Sequence, residues 1–363
     1  MVSIISVVGA RPNFMKVAPL YEEIHSRGGQ QILVHTGQHY DENMSKVFFE
    51  DLAMPTPDIY FGIGSGSHAS QTARVMLEFE KTIEEFEPEL VIVVGDVNST
   101  VACALVCAKM NVPVAHVEAG LRSFDRSMPE EINRIVTDSI SDFLLTPSMG
   151  ANENLLREGA EPDKIHFVGN IMIDSLHRSV KNSQKSNVLE EFNIEPSEFG
   201  VMTLHRPSNV DDSESLFHLV ESACIASEQS PIIFPVHPRT KKLFGKKKFE
   251  NLIQSSNLMI SDPLGYLDFI RLLSNSKFVL TDSGGIQEES TALGIPCLTL
   301  RENTERPITV SMGTNTIVGT DRELILSMVS EIIQTGGKKG IIPDLWDGKT
   351  ASRISDVIQF AIS

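Results

Sequence analysis

Residues 277–289 read Lys-Phe-Val-Leu-Thr-Asp-Ser-Gly-Gly-Ile-Gln-Glu-Glu, and this stretch constrains the fold more than any other. Phe278 to Leu280 is a short apolar run that reads as a buried strand. Asp282 and Ser283 can cap a helix. From Ile286 the spacing turns helical, with a stop at Gly294. Gly284 and Gly285 lack a Cβ, so another group can approach the backbone closely. Two readings of this turn stand. One is an ordinary strand-to-helix connection that needs glycine. The other is a nest of free N–H groups at a helix N-terminus, which takes a phosphate or diphosphate. The turn is neither a Walker loop nor a Gly-x-Gly-x-x-Gly dinucleotide turn. Glu288 and Glu289, expected in the first helical turn, would repel a phosphate held against them. A carboxylate there is better explained if it reaches past the phosphates to a ribose diol, as a nucleoside diphosphate would require.

The same strand–turn–helix order recurs along the chain. In the first half, strands are expected at 3–8, 31–35, 90–94, 113–117, 143–146 and 165–168. In the second half they are expected at 200–204, 232–236, 258–260, 277–280, 296–300 and 316–318, with helices between. Residues 55–70, rich in Pro, Gly and Ser, read as a long surface loop, and 169–174 as a linker. The alternation predicts an α/β protein of two doubly wound Rossmann-like domains facing each other across a cleft. The expected domains are 1–171 and 172–350, followed by a terminal helix in 351–363.

A net charge of −17 argues against general binding to nucleic acid or an anionic membrane. An anionic substrate must therefore meet a few local Arg, Lys and His residues. No basic leader precedes the first strand and no apolar run approaches the ~18 residues of a span, so a cytoplasmic protein is expected. The four cysteines form neither a disulfide framework nor a metal spacing. Cys103 and Cys107 read as core packing on a helix.

In an open parallel sheet, ligands sit beyond the carboxyl ends of the strands. Arg11 lies in the first strand-to-helix turn and Lys16 about one turn into the helix. Asp96 and Glu118 each follow directly on a strand end; helix capping or turn packing is the alternative for each. Pro129 can open a helix. Glu130 and Arg134, four apart on it, could form a helical ion pair. His205-Arg206-Pro207 and His237-Pro238-Arg239 follow adjacent strands and suggest an anion-binding edge, to which Arg306 adds a cation.

Taken in order, Gly9-Ala10-Arg11-Pro12 with Lys16, Gly95-Asp96, residues 116–122 (His-Val-Glu-Ala-Gly-Leu-Arg), residues 129–134 (Pro-Glu-Glu-x-Asn-Arg), His205-Arg206, residues 282–289 and residues 304–307 (Thr-Glu-Arg-Pro) resemble the non-hydrolysing UDP-N-acetylglucosamine 2-epimerases. The resemblance covers the chain from about Ile4 to about Asp321. It implies the glycosyltransferase-B arrangement, with the C-terminal helix crossing back to the first domain. It also implies a UDP-sugar substrate, no cofactor and no metal. Ser283, Gly284, Gly285 and Glu289 would hold the diphosphate and ribose, with Phe269 on the uracil. Arg11, His205, His237 and Arg306 would complete the UDP site. Asp96, Glu118 and Glu130 would be the catalytic acids, supported by Lys16, Arg134 and His205. A homodimer is expected.

Two departures qualify this reading. His205-Arg206-Pro207-Ser208-Asn209 lacks the Glu of the bacterial branch's His-Arg-x-Glu-Asn. Gln38-His39-Tyr40-Asp41-Glu42 replaces its Gln-His-Arg-x-Met, a loop tied to activation by substrate. The expected reaction inverts C2 of UDP-N-acetylglucosamine by elimination of UDP and re-addition. The alternatives are an epimerase of UDP-2,3-diacetamido-2,3-dideoxy-glucuronate, a hydrolysing epimerase, a glycosyltransferase of the same fold, and a nucleotide-sugar binding protein.

Overall fold

Residues 3–37 and 54–361 are described by the structure, a computed structural model. They form two compact units. One runs to Ser175 and is rejoined from Asp344 onward; the other is Leu176–Pro343. The boundary falls inside helix Ile171–Ser183. The stretch 169–174, expected as a linker, is therefore a turn and the start of a helix.

The first unit holds seven strands: β1 Ser3–Val8, β2 Gln30–His35, β3 Ile59–Tyr60, β4 Leu90–Val94, β5 Val114–Val117, β6 Phe143–Thr146 and β7 Ile165–Phe167. Their spatial order is β3-β2-β1-β4-β5-β6-β7, and the pairs are parallel. All five residues of β4 are buried, because both faces of a parallel sheet are covered by crossover helices. The two-residue β3 falls in the stretch expected as loop, too short to show an apolar period. Ser67 caps the next helix, His68–Phe86, by accepting from Ser70 N–H. Cys103 and Cys107 are buried in the core beside β4, as expected.

The second unit holds β8 Gly200–Thr203, β9 Ile232–Pro235, β10 Leu258–Ser261, β11 Phe278–Thr281, β12 Cys297–Thr299 and β13 Asn315–Ile317. Their order is β10-β9-β8-β11-β12-β13, again parallel. The expected α/β class with two doubly wound sheets is thus what the chain forms. In each sheet the winding reverses once, between β1 and β4 and between β8 and β11. At these switch points neighbouring crossovers leave in opposite directions and open a crevice.

Helix Thr350–Ala361 packs in the first unit against helix Arg11–Ser26. Ile354 and Ile358 are buried. Asp174 accepts from the N–H groups of Thr350 (3.2 Å) and Ala351 (2.8 Å), capping its N-terminus. Arg353 donates to the Val168 carbonyl at 2.7 Å. Trp346, buried just before this helix, donates through Nε1 to the Pro147 carbonyl at 3.2 Å. Among the described residues no helix is long and apolar enough to cross a membrane.

Removing the cap should loosen this return of the chain. Asp174→Ala is expected to lower the unfolding free energy by ~1–2 kcal/mol in urea titrations and to speed amide exchange in helix Thr350–Ala361. An unchanged midpoint with unchanged exchange would show that apolar packing alone holds the helix.

Candidate active site

At the first switch point, β1 leads through Gly9 and Ala10 into helix Arg11–Ser26. Asn13 joins the two sides. Its Oδ1 accepts from Ala10 N–H at 3.0 Å and its Nδ2 donates to the Val94 carbonyl at 2.9 Å. One helical turn on, Lys16 pairs with Glu118, and both are buried. Gly95 lies against this pair. A Cβ there would meet Asn13 Nδ2 at 3.3 Å, Lys16 Nζ at 3.4 Å and Glu118 Oε2 at 3.5 Å. Gly95 has φ +71° and Glu118 φ +77°. For glutamate the second value is strained, of the kind that concentrates at functional sites.

Asp96 follows Gly95. Arg134 holds its carboxylate with Nη2 at 2.7 Å and Nε at 3.1 Å, and Asn133 donates to its carbonyl at 2.8 Å. Arg134 also binds Glu131 at 2.7 Å. The alternative reading of Glu130 and Arg134 as a helical ion pair does not hold, since Arg134 bonds Asp96 and Glu131. Arg134 points into the unit, where it pairs with the buried Glu131 and the part-exposed Asp96. Glu131, unassigned from sequence, accepts as well from Ser123 and Phe124 N–H, both at 2.9 Å. Burial would raise its carboxyl, but these bonds outweigh burial and hold it below the usual range. Glu130 is half-buried, and its side chain makes no hydrogen bond or ion pair among the described residues. Of the other first-unit residues singled out from sequence, the side chain of Arg11 and the loop Gln38–Glu42 lie outside the described set.

At the second switch point, Asp282 follows β11 and is fully buried. It accepts from the backbone N–H of His205 (3.1 Å) and Arg206 (3.0 Å), from Asn209 Nδ2 (3.0 Å) and from His205 Nδ1 (2.9 Å). Burial alone would raise its carboxyl, but the His205 bond and charge and the other donors hold it low. The His205 side chain is 58% exposed beyond this bond. Its partner explains why a lone histidine sits so firmly at a strand end. His237 is exposed after β9. The side chain of Arg239 is outside the described residues.

Helix Gly284–Leu293 begins at the paired glycines, with Ser283 as N-cap. Glu288 and Glu289 consequently lie in its second turn, not the first as expected. Both are buried. Glu288 pairs with Arg306 Nε at 2.9 Å. Burial pushes the Glu289 carboxyl up to about 8 against the pull of Tyr266, whose hydroxyl lies 3.4 Å away. Tyr266 and half-buried Phe269 are three residues apart on helix Tyr266–Asn275. That i,i+3 spacing from Phe269 could have signalled Tyr266. Glu305 binds Arg206 at 3.0 Å and Arg301 at 2.8 Å. Although burial would raise it, the charges of Arg306 and Arg301 bring it down to about 2. A Cβ at Gly284 would come within 2.8 Å of Glu305 Oε1, so a side chain there would have to push the Glu305 carboxylate aside.

A family profile described as UDP-N-acetylglucosamine 2-epimerase matches residues 22–359. The chain is 42% identical over 360 residues to a UDP-N-acetylglucosamine 2-epimerase of Methanocaldococcus jannaschii, covering 98% of each chain. It is 40% identical to the UDP-2,3-diacetamido-2,3-dideoxy-D-glucuronate 2-epimerase of Pseudomonas aeruginosa, covering 98% of this chain and 99% of that one. Its structure matches a crystal structure of the M. jannaschii UDP-GlcNAc 2-epimerase in complex with UDP-GlcNAc and UDP. The TM-score is 0.87 at 42% identity, over 99% of both chains.

Asp282 should dominate the stability of the second switch point. Asp282→Ala removes the acceptor of two part-buried backbone N–H groups and of Asn209 Nδ2, and is expected to cost ~1–3 kcal/mol in urea unfolding. The carboxyl is depressed, so its contribution is fully present above the ordinary value of 3.8 and lost as pH falls through the lower folded value. Asp282→Asn should therefore flatten the acid limb of the stability curve between pH ~5 and ~2. An acid limb identical to wild type would contradict the assignment.

Proposed function

Since the chain belongs to the UDP-N-acetylglucosamine 2-epimerase family, we propose that it interconverts UDP-N-acetylglucosamine and UDP-N-acetylmannosamine by eliminating UDP and adding it back. The observation that carries the reading is helix Gly284–Leu293. Its glycine-opened N-terminus offers amide groups to a diphosphate, and its second turn carries a buried carboxyl at Glu289 suited to a ribose diol. Ser283, Gly284 and Gly285 take the diphosphate, with His205, His237, Arg306 and Arg11 around it. Phe269 packs on the uracil. Asp96, Glu118 and Glu130 act on the sugar, with Arg134 paired to Asp96 and Lys16 to Glu118.

C2 of the sugar is not adjacent to a carbonyl, so direct loss of its proton is very difficult. Elimination solves this. As the C1–O bond stretches, positive charge grows on the ring, the C2 proton becomes acidic, and UDP leaves as an anion. The products are 2-acetamidoglucal and bound UDP. Protonation of C2 from the opposite face and return of UDP to C1 complete the inversion. One base would return a proton to the face it came from, so two groups on opposite faces are needed. Cations at the diphosphate stabilise the departing charge.

Incubation of the protein with UDP-N-acetylglucosamine in deuterated water should give UDP-N-acetylmannosamine with one deuteron at C2, followed by proton NMR. Product with protium retained at C2 would overturn the mechanism. Asp96→Asn, Glu118→Gln and Glu130→Gln are expected to leave UDP binding near wild type and cut turnover by ~10²–10⁴-fold. The 40% identity to the P. aeruginosa enzyme favours one second reading, the diacetamido-glucuronate sugar. The larger of the two kcat/KM values decides between the substrates. A homodimer belongs to the same proposal, and light scattering measures it.

Glu289 supplies a further test. With its carboxyl near 8, it is mostly protonated at neutral pH. Accepting from ribose hydroxyls favours the ionised form, so UDP binding should release a proton. Calorimetric enthalpies at pH 7.5 should then differ between buffers of unlike ionisation enthalpy, and Glu289→Gln should abolish that difference. Equal enthalpies in wild type would remove Glu289 from the ribose site.

A further inference from the structure

The inference concerns His116 and rests on the epimerase reading above. His116 is the third residue of β5, fully buried, and has no part in the proposed chemistry. Its ring bridges two turns. Nε2 is 2.8 Å from the Gly95 carbonyl oxygen, and Nδ1 is 2.6 Å from Asp138 Oδ1. A carbonyl and an ionised carboxylate only accept, so each ring nitrogen donates. Asp138, on helix Pro129–Ile140, is itself buried. Its second oxygen accepts from Gly120 N–H at 3.0 Å and pairs with Arg122 at 2.7 Å. Burial would raise this carboxyl, but His116 and Arg122 outweigh it and keep it ionised. Arg122 continues to Glu158 with bonds of 2.9 and 2.6 Å.

The bond to Gly95 matters because of where Gly95 sits. It precedes Asp96 in the chain, and its backbone lies against Lys16 and Glu118. Through Asp138, the same ring reaches Gly120, two residues after Glu118. Glu118 holds a positive φ, which in a residue other than glycine persists only where neighbours over-determine it. We propose that His116 is a positioning residue: its Nε2 bond holds the Gly95–Asp96 turn against β5, the strand that leads into Glu118, so that acids borne on two strands keep one fixed separation.

Two substitutions separate positioning from bulk stability. The amide nitrogen of Gln lies where His places Nε2, and that of Asn where His places Nδ1. His116→Gln thus keeps a donor toward Gly95, and His116→Asn keeps one toward Asp138. Each breaks one buried bond. With UDP-N-acetylglucosamine as substrate, His116→Asn is expected to lose ~10–100-fold in kcat, the scale of a misplaced catalytic group, with KM and UDP affinity held. His116→Gln should retain kcat close to wild type. Equal kcat losses in the two variants, or losses that appear in KM, would overturn the proposal. So would failure of both variants to fold, which would make His116 a folding residue only. Wild-type protein inactive toward both UDP-sugars would instead sink the epimerase reading, and the inference with it.

Discussion

A parallel sheet ends at its switch point in backbone groups that neither neighbouring strand can pair, and both units depend on one buried side chain to take them up. In the first unit an amide does this: Asn13 accepts from Ala10 and donates to Val94 across the β1–β4 gap. In the second a carboxylate does it: Asp282 collects the N–H groups of His205 and Arg206 across the β8–β11 gap. The difference follows from what is missing. Across the β1–β4 gap a donor and an acceptor both need partners, and an amide carries both functions in one side chain. Beside β11 only donors are left over, and a carboxylate accepts them all. An unpaired buried peptide group costs about as much as a lost hydrogen bond, so these residues hold the sites open without collapse.

Charge is handled in the same way. The chain carries −17, yet the cations near its strand ends do not stand alone. Lys16 lies on Glu118, Arg134 on Asp96 and Glu131, and Arg306 on Glu288, while Arg206 and Arg301 share Glu305. Burying one member of such a pair without the other would cost several kcal/mol. Pairing lets each cation be held in one rotamer at a strand end. Glu289 is the exception: its charge is suppressed, not matched, and that leaves its carboxyl responsive to a ligand.

Much of this was legible in the sequence. Apolar runs bounded by glycine and polar turns marked most strands to within a residue or two, because parallel strands buried on both faces are mostly apolar. The two-residue β3 escaped, having no period to read. The residues at strand ends were legible as a set, since Gly-Asp, Val-Glu and Asp-Ser-Gly-Gly break the apolar pattern abruptly. Their partners were not. Glu130 and Arg134 fit a helical pair by spacing, but Arg134 takes Asp96, 38 residues away, because its side chain turns inward. His116 read as part of a strand, and Tyr266 as part of a helix. Nothing local reveals that one ring meets Gly95 and Asp138 and the other Glu289.

By itself, then, the sequence determined the alternation of elements, the α/β class, the glycines that permit left-handed turns at Gly95 and Gly120, and the types of chemistry available at each strand end. These follow from local sterics and from which side chains can leave water, so they can be read within a window of a few residues. Only the tertiary structure decided strand order. That order sets β1 beside β4 and β8 beside β11, and so brings Asn13 to Val94, Lys16 to Glu118 and His205 to Asp282. Strand pairing depends on how crossover helices pack on the two faces, a contest between distant segments that leaves no trace in any single stretch of chain.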